Sequence, residues 1–263
     1  MSSRADFASA ADELATRVLS ALRGAGGTAF VSRHLDTASD SVAALAAIRV
    51  IGADTFTPHV LTGVPFHADD AATVARSLAV FPPPDPTTQG GTTPAGTAPD
   101  PTAPARTEQR TLAWRDWATG ECLARFSGGS VPAPTTTAPP QGDDELADTT
   151  DWRRWSVRMA QLATLAIPGL DGPVHEAARA AALPLARGAT RSVLRRDHRT
   201  AVRLIRWLAW LHHEGVALPV DPAPMAEHVR LLGGVGPRTA VDLAIAWHLL
   251  EGRLPQEAEA VRT

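Results

Sequence analysis

The chain has 263 residues with 25 basic and 28 acidic side chains, which gives a formal net charge of −3 at neutral pH. All of its basic residues other than histidine are arginine, and lysine, asparagine and tyrosine are absent. This composition indicates a bacterium with a GC-rich genome, and it excludes a Schiff-base lysine, a P-loop GxxxxGK motif and tyrosine-based acid–base chemistry.

The N-terminal sequence and the cysteine content predict a cytoplasmic protein. Residues 1–13 carry acids where a signal peptide needs an apolar run. Cys122 is the only cysteine, which excludes an intramolecular disulfide and CxxC metal or redox motifs. No uncharged apolar segment approaches the ~18 residues of a membrane span. We therefore expect a soluble protein with no membrane partner, no metal and no other cofactor.

Residues 1–82 predict a small α or α+β domain. Apolar residues recur at helical spacing in three segments and form two short strand-like runs. The predicted helices are 5–23, 38–51 and 68–81, and the predicted strands are 28–32 and 56–61. Within this unit, Ser32–Ser41 resembles the metal-binding opening of DHH-type phosphoesterases at His34 and Asp40. The Pro-Asp-Gly-Asp core of that family is absent, and a capped helix start explains the acids better.

Two segments rich in Pro, Thr, Gly and Ala, 83–106 and 128–150, predict disordered linkers because they offer too little apolar surface for a core. Between them lies a short apolar island, residues 107–127. Its Ala-Thr-Gly-Glu sequence predicts the turn of a β-hairpin, and Trp114 and Trp117 are expected to pack on a neighbouring domain.

Residues 151–263 predict a helical domain with an arginine stripe. This region holds 15 Arg against 11 acids, a balance of +4, whereas residues 1–150 hold 10 Arg against 17 acids, a balance of −7. One helix is predicted from Thr190 to Glu214, and arginines recur every four residues along it and its approach, at Arg187, Arg191, Arg195, Arg199 and Arg203. Such a stripe is typical of a polyanion contact. A solvated face and pairing with the acidic N-terminal half are the alternatives.

The segment Leu231–Leu250, LLGGVGPRTAVDLAIAWHLL, predicts two helices joined by a glycine-rich turn. It resembles the helix-hairpin-helix motif of DNA-binding proteins, and the resemblance is confined to this C-terminal segment. In that family the amides of the turn and of the following helix start bind a phosphate. The resemblance assigns this role to Gly234, Val235, Gly236, Arg238 and Thr239. An ordinary helix–helix connection explains the same residues.

The turn and the stripe together predict a nucleic-acid-associated protein that grips the phosphate backbone without reading sequence, with DNA preferred over RNA as partner. The leading contact residues of the stripe are Arg191, Arg195, Arg199 and Arg203. A DNA glycosylase is disfavoured because no Asp follows the hairpin and the lyase lysine is missing. A small-molecule enzyme or accessory protein of specialised metabolism and a protein-interaction scaffold stay open as alternatives. The sequence assigns no catalytic residue and leaves both enzymatic activity and the oligomeric state undecided.

Overall fold

A computed structural model describes residues 4–27, 29–81, 103–129, 131, 139–140, 144–232 and 236–252 of the chain. Its α-helices are α1 Arg4–Leu22, α2 Phe30–Thr37, α3 Ser41–Ile51, α4 Thr57–Thr62, α5 Ala68–Val80, α6 Ala103–Phe126, α7 Asp144–Ala147, α8 Trp152–Gln161, α9 Pro173–Ala180, α10 Ala182–Leu194, α11 His198–His213, α12 Pro222–Leu232 and α13 Pro237–Glu251. Short 3₁₀ turns lie at Gly52–Phe56 and Ala163–Leu165. No strand occurs in the described residues, so the prediction of a mainly α protein is confirmed. None of these helices combines the length and the apolar character needed to cross a membrane.

The two strands predicted in the N-terminal unit are wrong. Residues 30–32 begin α2, and residues 56–61 belong to a 3₁₀ turn and α4. Phe30, Val31 and His34 are buried together on one side of α2, which packs on α1. Apolar runs this short are compatible with the residue spacing of a helix and with that of a strand. Burial against a neighbouring helix decides which of the two forms.

The β-hairpin predicted within residues 107–127 is also wrong, because the segment forms the continuous helix α6. Its buried apolar side chains fall at one position and then at two adjacent pairs, spaced by about one helical turn, which is a helical face and not an alternating strand. They are Trp114, Trp117, Ala118, Cys122 and Leu123. The Thr119 hydroxyl, in the predicted turn, donates to the Arg115 carbonyl at 2.7 Å within the helix. Burial of this face outweighs the local turn sequence.

The predicted linkers fall partly outside the described residues. Of 83–106, only residues 103–106 are described, and they begin α6. Of 128–150, residues 144–147 form α7, whose Leu146 is buried. The Leu146 carbonyl accepts a hydrogen bond of 3.0 Å from the Trp155 indole N–H on α8. Residues 103–106 and 144–147 are therefore helical, and the disorder predicted for the rest of both segments stays a prediction.

Helices from the N-terminal and C-terminal regions share one hydrophobic core. α1 packs against both α3 and α13, and Val18 of α1 and Ile245 of α13 belong to the same buried cluster. α6 is tied to α3 by Asp116, which accepts hydrogen bonds of 3.0 and 2.6 Å from the Arg49 guanidinium. These contacts do not test whether either region folds alone, so the domain boundaries predicted at residues 82 and 150 stay predictions.

The single helix predicted from Thr190 to Glu214 is wrong, because it breaks between α10 and α11. Arg195 ends α10, Arg196 has a positive φ of 58°, and Asp197 caps α11 by accepting from the Thr200 amide at 3.1 Å. An α-helix does not continue through a left-handed residue. α10 instead packs back against α11, and the arginine stripe is divided between two helices.

Candidate functional site

Arg206 on α11 is a fully buried cation that pairs with one aspartate from the N-terminal region and one from α13. Its Nη2 lies 2.7 Å from Asp54 Oδ1, and its Nη1 lies 2.9 Å from Oδ1 of Asp242 on α13. The Nε donates to the Ala166 carbonyl at 3.3 Å. Burial by itself would lower the pKa of Arg206, but the charges of the two aspartates outweigh it and raise that pKa. Arg206 is thus charged and satisfied, which makes it structural and not a ligand site.

Arg199, Arg203 and Arg238 lie close together where α11 meets the start of α13, and we call them the α11–α13 cluster. Arg203 Nε is 3.5 Å from Asp242 Oδ2, and 20% of the Arg203 side chain stays exposed. The charge of Arg203, together with partial burial and the charge of Arg238, lowers the pKa of the exposed Arg199. Nearby acids therefore do not cancel the positive potential here.

The start of α13 contributes backbone donors to this cluster. The first bond within the helix runs from the Ala240 amide to the Gly236 carbonyl at 3.0 Å, and no side chain among the described residues caps the helix. The amides of Arg238 and Thr239 precede that bond and have no hydrogen-bond partner within the described part of the chain, as expected for donors at a helix N-terminus. Gly234 and Val235, which share the predicted phosphate-binding role, lie outside the described residues.

Arg115 on α6 extends the positive region inward. Its Nη2 donates to the Gln161 carbonyl at 2.9 Å, whereas its buried Nε has no hydrogen-bond partner in the described part of the chain. Burial, followed by the charge of Arg203, lowers the pKa of Arg115. Sequence analysis missed this residue because it was placed in a hairpin. The helical spacing of Trp114, Ala118 and Cys122 is the sequence pattern that predicts a helix here, and it would have placed Arg115 on that helix.

Part of the arginine charge is used within the molecule. Arg238 Nε lies 2.8 Å from Oδ1 of Asp12 on α1, and Arg206 pairs with Asp54. Both aspartates belong to the acidic N-terminal region, but neither arginine is one of the five stripe residues, so pairing of the stripe with that region stays an untested alternative. Arg199 has no ion pair with a carboxylate in the described residues.

Arg191 and Arg195 do not join the α11–α13 cluster. They line a separate groove of about 690 Å³ between α8, α10 and residues 219–220, which we call the α8–α10 groove. Its other lining arginines are Arg153 and Arg187, and its apolar lining includes Trp152, Leu183, Leu194, Pro219 and Val220. The stripe predicted as one surface is thus two surfaces. Arg153 and the apolar lining were not predicted, because nothing in the local sequence places α8 beside α10.

No metal centre is found among the described residues. Asp40 caps α3 by accepting from the amides of Val42 and Ala43 at 2.9 and 3.1 Å, which confirms the helix-cap interpretation over the resemblance to phosphoesterases. His34 is buried, and burial lowers its pKa.

A second pocket, of about 640 Å³, is lined by residues of α6, α7 and α9 and by Pro139 and Pro140. Trp114 and Ala177 contribute apolar surface, and Glu176 is the only ionisable residue in the described lining. A lone carboxylate does not form an acid–base pair. The geometry therefore suits binding of an apolar small molecule better than catalysis.

Comparisons with protein-family models, with curated proteins and with solved structures find no match to this chain.

Proposed function

We propose that the protein grips the phosphate backbone of nucleic acid, DNA in preference to RNA, through the α11–α13 cluster and without reading sequence. The observation that carries the proposal is the meeting of two separate stretches, 199–203 and 236–239, at one place. Arg203 of the first stretch pairs with Asp242 of α13, and Arg199 lies within the electrostatic influence of Arg238 at the start of that helix. Arginine forks and helix N-terminal amides are the two groups that most often hold phosphate in proteins.

The charges at the cluster favour a phosphate over a carboxylate of the protein itself. Arg199 is exposed and its pKa is lowered by its arginine neighbours, so an added anion relieves repulsion that the fold leaves in place. The Arg238–Asp12 pair is partly exposed, at 38% and 43% of the two side chains. An exposed pair of this kind contributes little to stability, so a phosphate can compete for Arg238 at small cost. Contacts of this kind position a backbone and carry no base information.

The experiment is a salt titration of binding to labelled duplex DNA, followed by fluorescence anisotropy. The expected result is affinity at low salt that falls linearly in log K against log salt, with a slope shallower by about 0.9 in Arg199→Ala. Arg76→Ala on α5 is the matched control, since Arg76 is an exposed arginine that lies outside the cluster. The control should keep the wild-type slope.

Three results would count against the proposal. Absence of measurable affinity for DNA or RNA at low salt removes the function altogether. Equal loss of slope in the two variants shows a diffuse charge effect and not a site. Tighter binding of RNA than of DNA of the same length reverses the proposed partner preference.

The apolar pocket beside Trp114 supports a second candidate function, the binding of a small apolar molecule. A ligand of this class should raise the unfolding temperature of the wild-type protein. Ala177→Leu, which fills the pocket, should abolish the rise, whereas Ala75→Leu on α5 should keep it. If no apolar compound from a screen shifts the wild-type temperature, the pocket has no such role.

A further inference from the structure

The α8–α10 groove presents an apolar stripe along the outer side of α10. Leu183 is 47% exposed and Leu194 is 79% exposed, values that are high for leucine. The two lie eleven residues apart on one helix, with Arg187 and Arg191 between them, so the stripe runs about 16 Å, or three helical turns. Trp152 and Val220 form the opposite side of the groove. A partner that buries the two leucines would remove their apolar surface from water, which favours binding.

The charge of the groove restricts what can bury those leucines. The described part of its lining contains Arg153, Arg187, Arg191 and Arg195 and no carboxylate. None of these arginines forms an ion pair with another described residue. The neighbouring acids Asp151 and Asp221 cap α8 and α12 by accepting from backbone amides. A partner that presents acids on both sides of an apolar stripe would meet complementary groups along the whole groove.

Nucleic acid fits this groove less well than a peptide does. Leucine side chains do not offer the flat aromatic faces on which bases stack. Trp152 is the one aromatic residue of the described lining, and the Arg153 guanidinium lies 4.9 Å from its ring centroid and covers one of its faces. Apolar stripes spaced by helical turns and flanked by charge are instead the usual receptors for amphipathic helices.

We infer that the α8–α10 groove docks an acidic amphipathic helix of a partner protein, with apolar residues of that helix against Leu183 and Leu194 and its acids against the four groove arginines. The α11–α13 cluster lies on the far side of the Arg196 break and contributes nothing to this groove. The inference therefore does not depend on the proposed nucleic-acid function.

The test uses the full chain and a panel of labelled helical peptides of about 15 residues, enough for four helical turns. Each peptide carries leucines on one face and glutamates beside them, and each has a scrambled isomer with the same composition. Anisotropy is measured for wild type, Leu194→Asp and Arg191→Glu. Leu231→Asp is the matched control, because Leu231 on α12 is 69% exposed and lies outside the groove. Single-stranded DNA serves as a second probe in every variant.

The expected result is binding of at least one amphipathic peptide more than about tenfold tighter than its scrambled isomer, a hot-spot-sized difference. Leu194→Asp and Arg191→Glu should each weaken it about tenfold, Leu231→Asp should not, and circular dichroism should be unchanged because these side chains are exposed or half-exposed. If no peptide exceeds its scrambled isomer, or if Leu194→Asp leaves peptide binding intact, the inference is overturned. Loss of DNA binding without loss of peptide binding in Leu194→Asp would assign the groove to nucleic acid instead.

Discussion

The α8–α10 groove and the α11–α13 cluster both contain arginines of the stripe that recurs every four residues. The groups that surround these arginines differ between the two surfaces. In the cluster, Arg203 and Arg238 face Asp242 and Asp12, and two helices from distant stretches meet. In the groove, arginines lie between and beside two exposed leucines, and no carboxylate belongs to the described lining. The single left-handed residue Arg196 separates the two. The comparison shows that arginine spacing alone does not define a binding surface, since the groups opposite each arginine decide what it can bind.

Removing Arg206 should cause the largest loss of stability, because the Arg206 guanidinium neutralises the Asp242 carboxylate, which also pairs with Arg203. Arg206→Met leaves Asp54 buried without its cation and leaves Asp242 with only the longer 3.5 Å pair to Arg203. Breaking a buried ion network in this way costs about 3–5 kcal/mol. Urea denaturation should show this loss, and Arg230→Met, which removes an exposed pair with Glu227 on α12, should leave the midpoint unchanged. A loss in Arg206→Met as small as in the control would mean that the network does not hold α11 and α13 together.

The second-largest loss of stability is expected where α8 packs against α10, the two helices that form the walls of the α8–α10 groove. Gly188 on α10 lies against α8, where an added Cβ would overlap Ser156 and lie 3.1 Å from Leu204 Cδ1. Gly188→Ala should therefore overpack the contact and cost about 1–3 kcal/mol in urea denaturation. It should also weaken binding of the acidic helical peptide, because α8 and α10 form the two sides of the groove. Arg199→Ala, on the cluster side, should leave peptide binding unchanged. Unchanged stability in Gly188→Ala would contradict this close packing.

The helical class could be predicted from the sequence, and the binding role assigned to the start of α13 stays a prediction, but the features that separate the two surfaces were missed. Helical periodicity is strong where one face is buried, as in α1 and α13. The break at Arg196 had a local signal in Asp197, a good N-cap, yet the four-residue arginine period continued across it. Helix α6 was misassigned because Thr119 and Gly120 resemble a turn. In both cases tertiary packing decides between local alternatives of similar free energy.

A substitution at the start of α13 should affect binding and spare stability. Gly236 has φ −64° and ψ 164°, a conformation open to any residue, and an added Cβ would meet no atom within 4 Å. Gly236→Val should therefore keep the unfolding temperature within a few degrees. Its side chain would occupy the approach to the Arg238 and Thr239 amides, so DNA affinity should fall about tenfold, the value of one lost charge-assisted contact. Equal loss of stability and affinity would favour an ordinary helix–helix turn.

The smallest expected effect is an increase in DNA affinity. Asp12→Asn removes the carboxylate that holds Arg238 Nε at 2.8 Å, so Arg238 becomes available and the repulsion between Asp12 and a bound phosphate disappears. DNA affinity at low salt should rise by up to about fivefold, the range that an exposed ion pair can contribute. Asp36→Asn on α2 changes the net charge by the same amount at an exposed position, and it should have little effect. An equal gain in both variants would show that net charge alone controls binding. If Asp12→Asn leaves DNA affinity unchanged while Arg199→Ala lowers it, the phosphate contacts α11 and not α13, and the resemblance to a helix-hairpin-helix has no functional meaning.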